Sequence, residues 1–148
     1  MKLISACLLG IKCPWSGDNR YENSRAIELS KREALIPVCP EQLGGLPTPR
    51  DPQEIQGGTG EDILDGKGKV LNKSSENVTG EFLRGAEETL KIARQLDISE
   101  FIGKSRSPSC GCGQIYDGTF SGRLIHGDGV TIALLQRNGI RVIPEEDL

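Results

Sequence analysis

Four short apolar runs, separated by segments of helical period, constrain this chain more than any other feature. Residues 3–9 are almost continuously apolar and stop at Gly10, and residues 35–39 are closed by Pro40. Residues 100–103 and 140–143 supply the other two, the last ending at Pro144. Runs this short, bounded by Gly or Pro, read as buried strands rather than helices. Pro37 is an objection to the second, because proline removes a ladder donor.

Helical patterns fill the intervals. Residues 24–33 have Asn23 or Ser24 available as a cap, and residues 129–138 are closed by Gly139. The clearest helix covers residues 79–96. There Phe82, Leu83, Ala86, Leu90, Ala93 and Leu96 step by three and four, with Thr79 as N-cap. Residues 40–77 are rich in Gly and Pro and show no helical period. Within them Ile63-Leu64 and Val70-Leu71 flank the hairpin-type turn Asp65-Gly66-Lys67-Gly68, and residues 115–120 suggest a second small hairpin. Strands alternating with helices predict an α/β fold. It is a single three-layer domain over residues 1–148, with a short parallel sheet flanked by helices and small hairpin insertions.

Composition narrows the function. A length of 148 residues suits one domain. Eighteen basic against 21 acidic residues leave a net charge of −3, the opposite of a phosphate-coating protein, so nucleic acid is disfavoured as a partner. No apolar run approaches the ~20 residues that span a bilayer, which excludes a membrane partner. Ile4-Ser5-Ala6-Cys7 resembles the box before a lipidated cysteine, but only six residues precede Cys7. A leader needs more, and the expected location is cytoplasmic.

The five cysteines then become informative, since in a cytosolic chain they point to metal binding or catalysis rather than disulfides. Cys7 lies near the end of the first strand, Cys39 at the end of the second, and Cys110 in the loop after the third. Ligands of open parallel sheets bind outside the carboxyl ends of the strands, so three thiols distant in sequence are expected to share one site. Cys13 and Cys112 are close enough in sequence to join it. Three thiolates suit either a catalytic zinc or an iron–sulfur cluster, and spacing does not choose between them.

Other groups fall beside these loops. Glu41, two residues after Cys39, is a candidate acid or base. Ser107-Pro108-Ser109 forms a rigid turn before Cys110 that can aim a hydroxyl or a backbone N–H. Trp15 offers a flat face on which a heterocycle can stack. His126, the one histidine, reads as a loop residue. Neither a G-x-x-x-x-G-K-[ST] loop nor a G-x-G-x-x-G is present, which disfavours nucleotide cofactors.

Several segments taken together resemble the thiouracil desulfidase family. They are Ser5-Ala6-Cys7-Leu8-Leu9-Gly10, then Pro37-Val38-Cys39-Pro40-Glu41 with Gly44-Gly45-Leu46-Pro47-Thr48-Pro49-Arg50, then Lys104-Ser105-Arg106-Ser107-Pro108-Ser109-Cys110-Gly111. The joint occurrence of the Cys-Pro-Glu and Ser-Pro-Ser-Cys segments carries the specificity. The resemblance implies a [4Fe–4S] cluster held by Cys7, Cys39 and Cys110, whose fourth iron takes sulfur from a small-molecule thiopyrimidine. It also implies Glu41 as the proton-transfer residue and Ser107 as a positioning hydroxyl; Ser109 and Trp15 are expected substrate contacts from the residues themselves, a turn hydroxyl and a flat ring beside the same loops. One departure is plain: the family often carries Arg-Tyr-Asp-Gly after position 13, where this chain has Pro14-Trp15-Ser16-Gly17. Three alternatives stand beside this reading. One is desulfidation of thiolated nucleosides in tRNA, another is a non-catalytic metal-binding or cluster-carrier protein closed by Cys13 or Cys112, and the third is a metal-free thiol hydrolase.

Overall fold

The N-terminal apolar run splits into two structures. In a computed structural model describing residues 1–148, it forms strand β1 (Lys2–Ser5) and then a 3-10 turn (Ala6–Leu9) that ends at Gly10 with φ 79°. The chain continues through α1 (Ser24–Ser30), β2 (Leu35–Val38), α2 (Pro40–Leu43), β3 (Gln53–Gln56), α3 (Gly60–Leu64) and β4 (Lys69–Asn72). It closes with α4 (Thr79–Gln95), β5 (Glu100–Gly103), β6 (Gln114–Tyr116), β7 (Leu124–His126), α5 (Val130–Arg137), β8 (Arg141–Pro144) and a last 3-10 turn (Glu145–Asp147).

The central sheet has the order β2-β1-β5-β8, all parallel. Its register explains why the strands read as continuously apolar. Leu3 lies beside Phe101, and Ile4 beside Ile102. Leu3 and Phe101 pack with Leu90 and Ala93 of α4 and with Ile132 and Leu135 of α5. Ile4 and Ile102 face the other way, onto Leu8 and Ala26 of α1. Both faces are covered, so neither needs polar residues. The three layers and the parallel sheet are as the sequence predicted, and no helix is long and apolar enough to cross a membrane.

Several boundaries differ for physical reasons. The predicted strand over residues 3–9 stops at Ser5, because Leu8 is buried against Ile4 and Ala26, which requires the chain to turn back over the sheet. Pro37 is tolerated because β2 is an edge strand. Ile63-Leu64 is the end of helix α3, not a strand. The Asp62 carboxylate accepts from the Thr59 backbone N–H at 2.8 Å and starts that helix. The hairpin partner of β4 is instead β3, paired Gln53 to Asn72 and Ile55 to Val70. Thr79 is the first residue of α4 rather than its cap. Its N–H donates to the Asn77 side chain at 3.0 Å, and its hydroxyl accepts from Val70 N–H at 2.9 Å. The second hairpin exists as β6 paired with β7, and its turn is longer than residues 115–120 implied. These hairpins and α3 build a second apolar cluster around Ile55, Ile63, Val70, Phe82, Ile115 and Val130, on α4 and α5 beyond the sheet.

Candidate functional site

Strand order reverses between β1 and β5: the chain runs from β1 outward to β2, then returns to lay β5 and β8 on the other side. The carboxyl ends at such a switch point form a crevice. Cys7 enters it from the 3-10 turn after β1, Cys39 from the N-cap position of α2, and Cys110 from the loop after β5. All three line one cavity of about 330 Å³, together with Trp15, Glu41, Ser107 and Ser109. The structure thus brings together all seven residues singled out from the sequence. Cys13 joins them, whereas Cys112 packs against the sheet core and His126 lies on β7.

All five cysteines are free thiols. The Cys13 hydrogen bond to Cys39 pulls its pKa down, but the bond to Cys7 and burial outweigh it and raise it to about 11. Hydrogen bonding to Cys13 and then burial push Cys39 well above the usual thiol range. Burial pushes Cys110 up to about 12, against hydrogen bonds from Ser5 and Ser109. No three His, Cys, Asp or Glu side chains close on a point that would hold a single metal ion. The thiols are instead distributed around the cavity wall.

Glu41 is 9% exposed, and both its oxygens are engaged. Arg50 donates to Oε1 from Nε at 3.0 Å and from Nη2 at 2.9 Å. The Ser109 hydroxyl donates to Oε2 at 2.8 Å. With that proton committed, the 3.0 Å contact between Ser107 and Ser109 is donated by Ser107. Ser107 Oγ in turn accepts from the backbone N–H groups of Ser109 and Cys110, each at 3.2 Å. A hydroxyl chain therefore runs from Ser107 through Ser109 to Glu41.

The placement of Glu41 and Cys39 is a backbone matter. Helix α2 lies so close to α4 that a Cβ on Gly85 would meet the Pro40 carbonyl carbon at 2.8 Å, and one on Gly44 would meet the Glu81 carbonyl carbon at the same distance. Two facing glycines allow the approach that sets α2 beneath the cavity.

Sequence reasoning passed over several groups. Arg50 ends the Gly- and Pro-rich segment 44–50, where the sequence assigns it no role. Besides Glu41, its guanidinium binds the Cys13 carbonyl at 3.1 Å, the Pro47 carbonyl at 3.1 Å and the Thr48 hydroxyl at 3.0 Å, and so ties three loops together. An unpaired cation in a loop with no fixed partner gave no signal beyond its neighbours. Gln53 and Glu54 line the cavity from β3. Lys104 does so after β5, its ammonium 4.6 Å from the Tyr21 ring centroid and 3.2 Å from Glu145. Trp15 carries the Arg20 guanidinium 5.0 Å from its ring centroid and donates its N–H to the Tyr21 hydroxyl at 3.2 Å.

Comparison with known proteins agrees with this layout. The 2-thiouracil desulfurase family matches residues 3–147. A Bacillus subtilis (strain 168) protein named Uncharacterized protein YbbK is 47% identical over 148 residues, covering 100% of this chain and 97% of its own length. A solved structure of the [4Fe-4S]-dependent thiouracil desulfidase TudS superposes with a TM-score of 0.87 at 40% identity, covering 99% of this chain and 91% of that one. The chain belongs to the 2-thiouracil desulfurase family.

Proposed function

We propose that this member of the family hydrolyses the thiocarbonyl of a small thiopyrimidine, converting 2-thiouracil to uracil and sulfide, with a [4Fe–4S] cluster held by Cys7, Cys39 and Cys110. The supporting observation is the meeting of these thiols with Glu41, Ser107 and Ser109 in one cavity at the switch point of the sheet. The donor set fits the cluster. Thiolates are soft ligands suited to iron–sulfur centres, whereas hard cations prefer oxygen, and the nearest carboxylate is already committed to Arg50 and Ser109. Three thiols reaching one cavity from three separate elements would hold such a group. Such a cluster supplies a thiophilic iron free of protein ligands, a soft Lewis acid toward the substrate's sulfur.

The chain's own residues account for the proton chemistry. The reaction is a hydrolysis: the water oxygen becomes the carbonyl oxygen of the product, its two protons leave with sulfur as H₂S, and no electrons are exchanged. Water at the Ser107 end of the hydroxyl chain can pass a proton through Ser109 to Glu41 Oε2, each link being within hydrogen-bond reach. Arg50 holds the other oxygen and so fixes the carboxylate in one orientation. Trp15 supplies an aromatic face for the ring, and Ser109 a hydroxyl beside it.

Anaerobic reconstitution with iron and sulfide, followed by iron counting and assay of 2-thiouracil, tests this reading. The expected result is close to four irons per chain, with uracil and sulfide released in equal amounts. Failure to take up iron, or a loaded protein that leaves 2-thiouracil intact, would reject it. A non-catalytic carrier is the second reading, favoured by the place of Cys13 on the wall of the same cavity as the other three thiols. If Cys13 closes the cluster, Cys13→Ser will lose iron. A Cys13→Ser protein that stays loaded and active removes the carrier reading.

A further inference from the structure

The cavity wall carries a hydroxyl group with no part in the scheme above. Tyr21 sits in the segment between the first 3-10 turn and α1, and it lines the cavity together with Trp15. Its place is fixed from two sides. The Lys104 ammonium lies 4.6 Å from the Tyr21 ring centroid, and is itself held by Glu145 at 3.2 Å and by the Ser105 carbonyl at 2.8 Å. At the other end, the Trp15 indole N–H donates to the Tyr21 hydroxyl oxygen at 3.2 Å. The Arg20 guanidinium, 5.0 Å from the indole centroid, approaches the same phenol oxygen.

These neighbours decide the direction of the one hydrogen bond left to make. A phenol both donates and accepts, whereas indole and guanidinium only donate. Both groups that reach the Tyr21 oxygen therefore use it as an acceptor, and no acceptor of the protein takes its proton. That proton is available to whatever enters the cavity. An indole N–H points out from the edge of its ring, so the phenol oxygen stands at the edge of Trp15, not over its face. A flat heterocycle stacked on that face brings its own edge alongside the phenol. We infer that Tyr21 is a substrate-binding residue of this site, its hydroxyl donating to a carbonyl oxygen of the ring that stacks on Trp15. The inference rests on the desulfidase reading, under which the reacting carbon faces the thiols, so the carbonyl that meets Tyr21 is the one that does not react. Stacking leaves the ring free to rotate in its own plane, and a wrong rotation carries the thiocarbonyl away from the thiols. The Tyr21 hydrogen bond removes that freedom. Lys104 and Trp15 hold the phenol before the ligand arrives, which limits the ordering cost of binding.

The test is equilibrium dialysis of the cluster-loaded protein with uracil and with 2-hydroxypyrimidine, which lacks the second carbonyl, run beside turnover of 2-thiouracil. Tyr21→Phe keeps the ring against Lys104 and removes only the hydroxyl. It should weaken uracil binding by about tenfold, the worth of one hydrogen bond, and leave 2-hydroxypyrimidine binding nearly unchanged. KM for 2-thiouracil should rise more than kcat falls, with iron content unaltered. A double-mutant cycle separates contact with the ligand from mere anchoring of the indole. The Trp15→Phe ring has no N–H to anchor, so a hydroxyl that only anchors costs nothing when Tyr21→Phe is added to that variant. A hydroxyl that touches the ligand still costs about tenfold. A cost that vanishes in the Trp15→Phe background overturns the inference, as does equal uracil binding by wild type and Tyr21→Phe. Equal binding of the two ligands to the wild-type protein does the same, and needs no variant that must fold. A preference for uracil that depends on Tyr21, without any turnover of 2-thiouracil, sinks the desulfidase reading alone.

Discussion

The two acidic residues of the cavity stand on two differently built parts of the molecule. Glu41 follows β2 of the central sheet, where the thiols also gather at strand ends. Glu54 lies on β3, in the layer made by two antiparallel hairpins and α3. The first carboxylate is held by a guanidinium and a hydroxyl chain, and the second by two backbone amides of a turn. The lesson is a division of labour. The parallel sheet positions the thiols and Glu41, and the hairpin layer supplies a further wall of the same cavity.

That division is open to attack from both sides. Cys39→Ser should give the largest effect. Serine is a favoured N-cap and will keep α2 folded, but a hard hydroxyl replaces a soft ligand. Iron content should fall and turnover should disappear, with a thermal midpoint close to wild type. Glu41→Gln comes next: kcat should fall by about 10²–10⁴-fold in protein that still carries its iron. Full activity there would remove the base from the scheme. Gly85→Ala forces a Cβ against the Pro40 carbonyl and should cost about 1–3 kcal/mol by overpacking, read as a lower denaturant midpoint. Activity should fall with it, because α2 carries both Cys39 and Glu41. Asp62→Ala removes the carboxylate that starts α3, at a cost of about 1 kcal/mol, and touches only the hairpin layer. Iron and kcat should hold while KM rises modestly. A loss of iron in this last variant would erase the boundary between the two parts.

The same division governs what could be read from the sequence. Strand β5 was predicted at its observed bounds, and α4 to within a residue, because burial on both faces or one face leaves an unmistakable pattern. The cysteines were found through topology: once the strands were placed, their carboxyl ends followed. The hairpin layer hid itself. In β3 the sequence Gln53-Glu54-Ile55-Gln56 has one apolar residue, the one that enters the apolar cluster, while Gln53 and Glu54 are among the residues that line the cavity. A strand that lines a site loses the periodicity by which strands are recognised. Helices α2 and α3 are too short to show a period at all. The 3-10 turn after β1 was read as strand because Leu8 and Leu9 continue an apolar run, and composition does not record a change of direction. Arg50 was missed because its meaning depends on Glu41 and Cys13, distant in the chain and adjacent only after folding.

Trp15 is the single tryptophan of the chain and forms part of the cavity wall. Its indole is anchored at one edge by Tyr21 and approached by Arg20, so its ultraviolet emission comes from one orientation in one place. Light absorbed by this ring reports on the cavity alone. A visibly coloured centre lodged among the thiols would drain that emission by energy transfer, and its loss in air would restore it. The protein thus carries its own optical gauge of whether the cavity is charged.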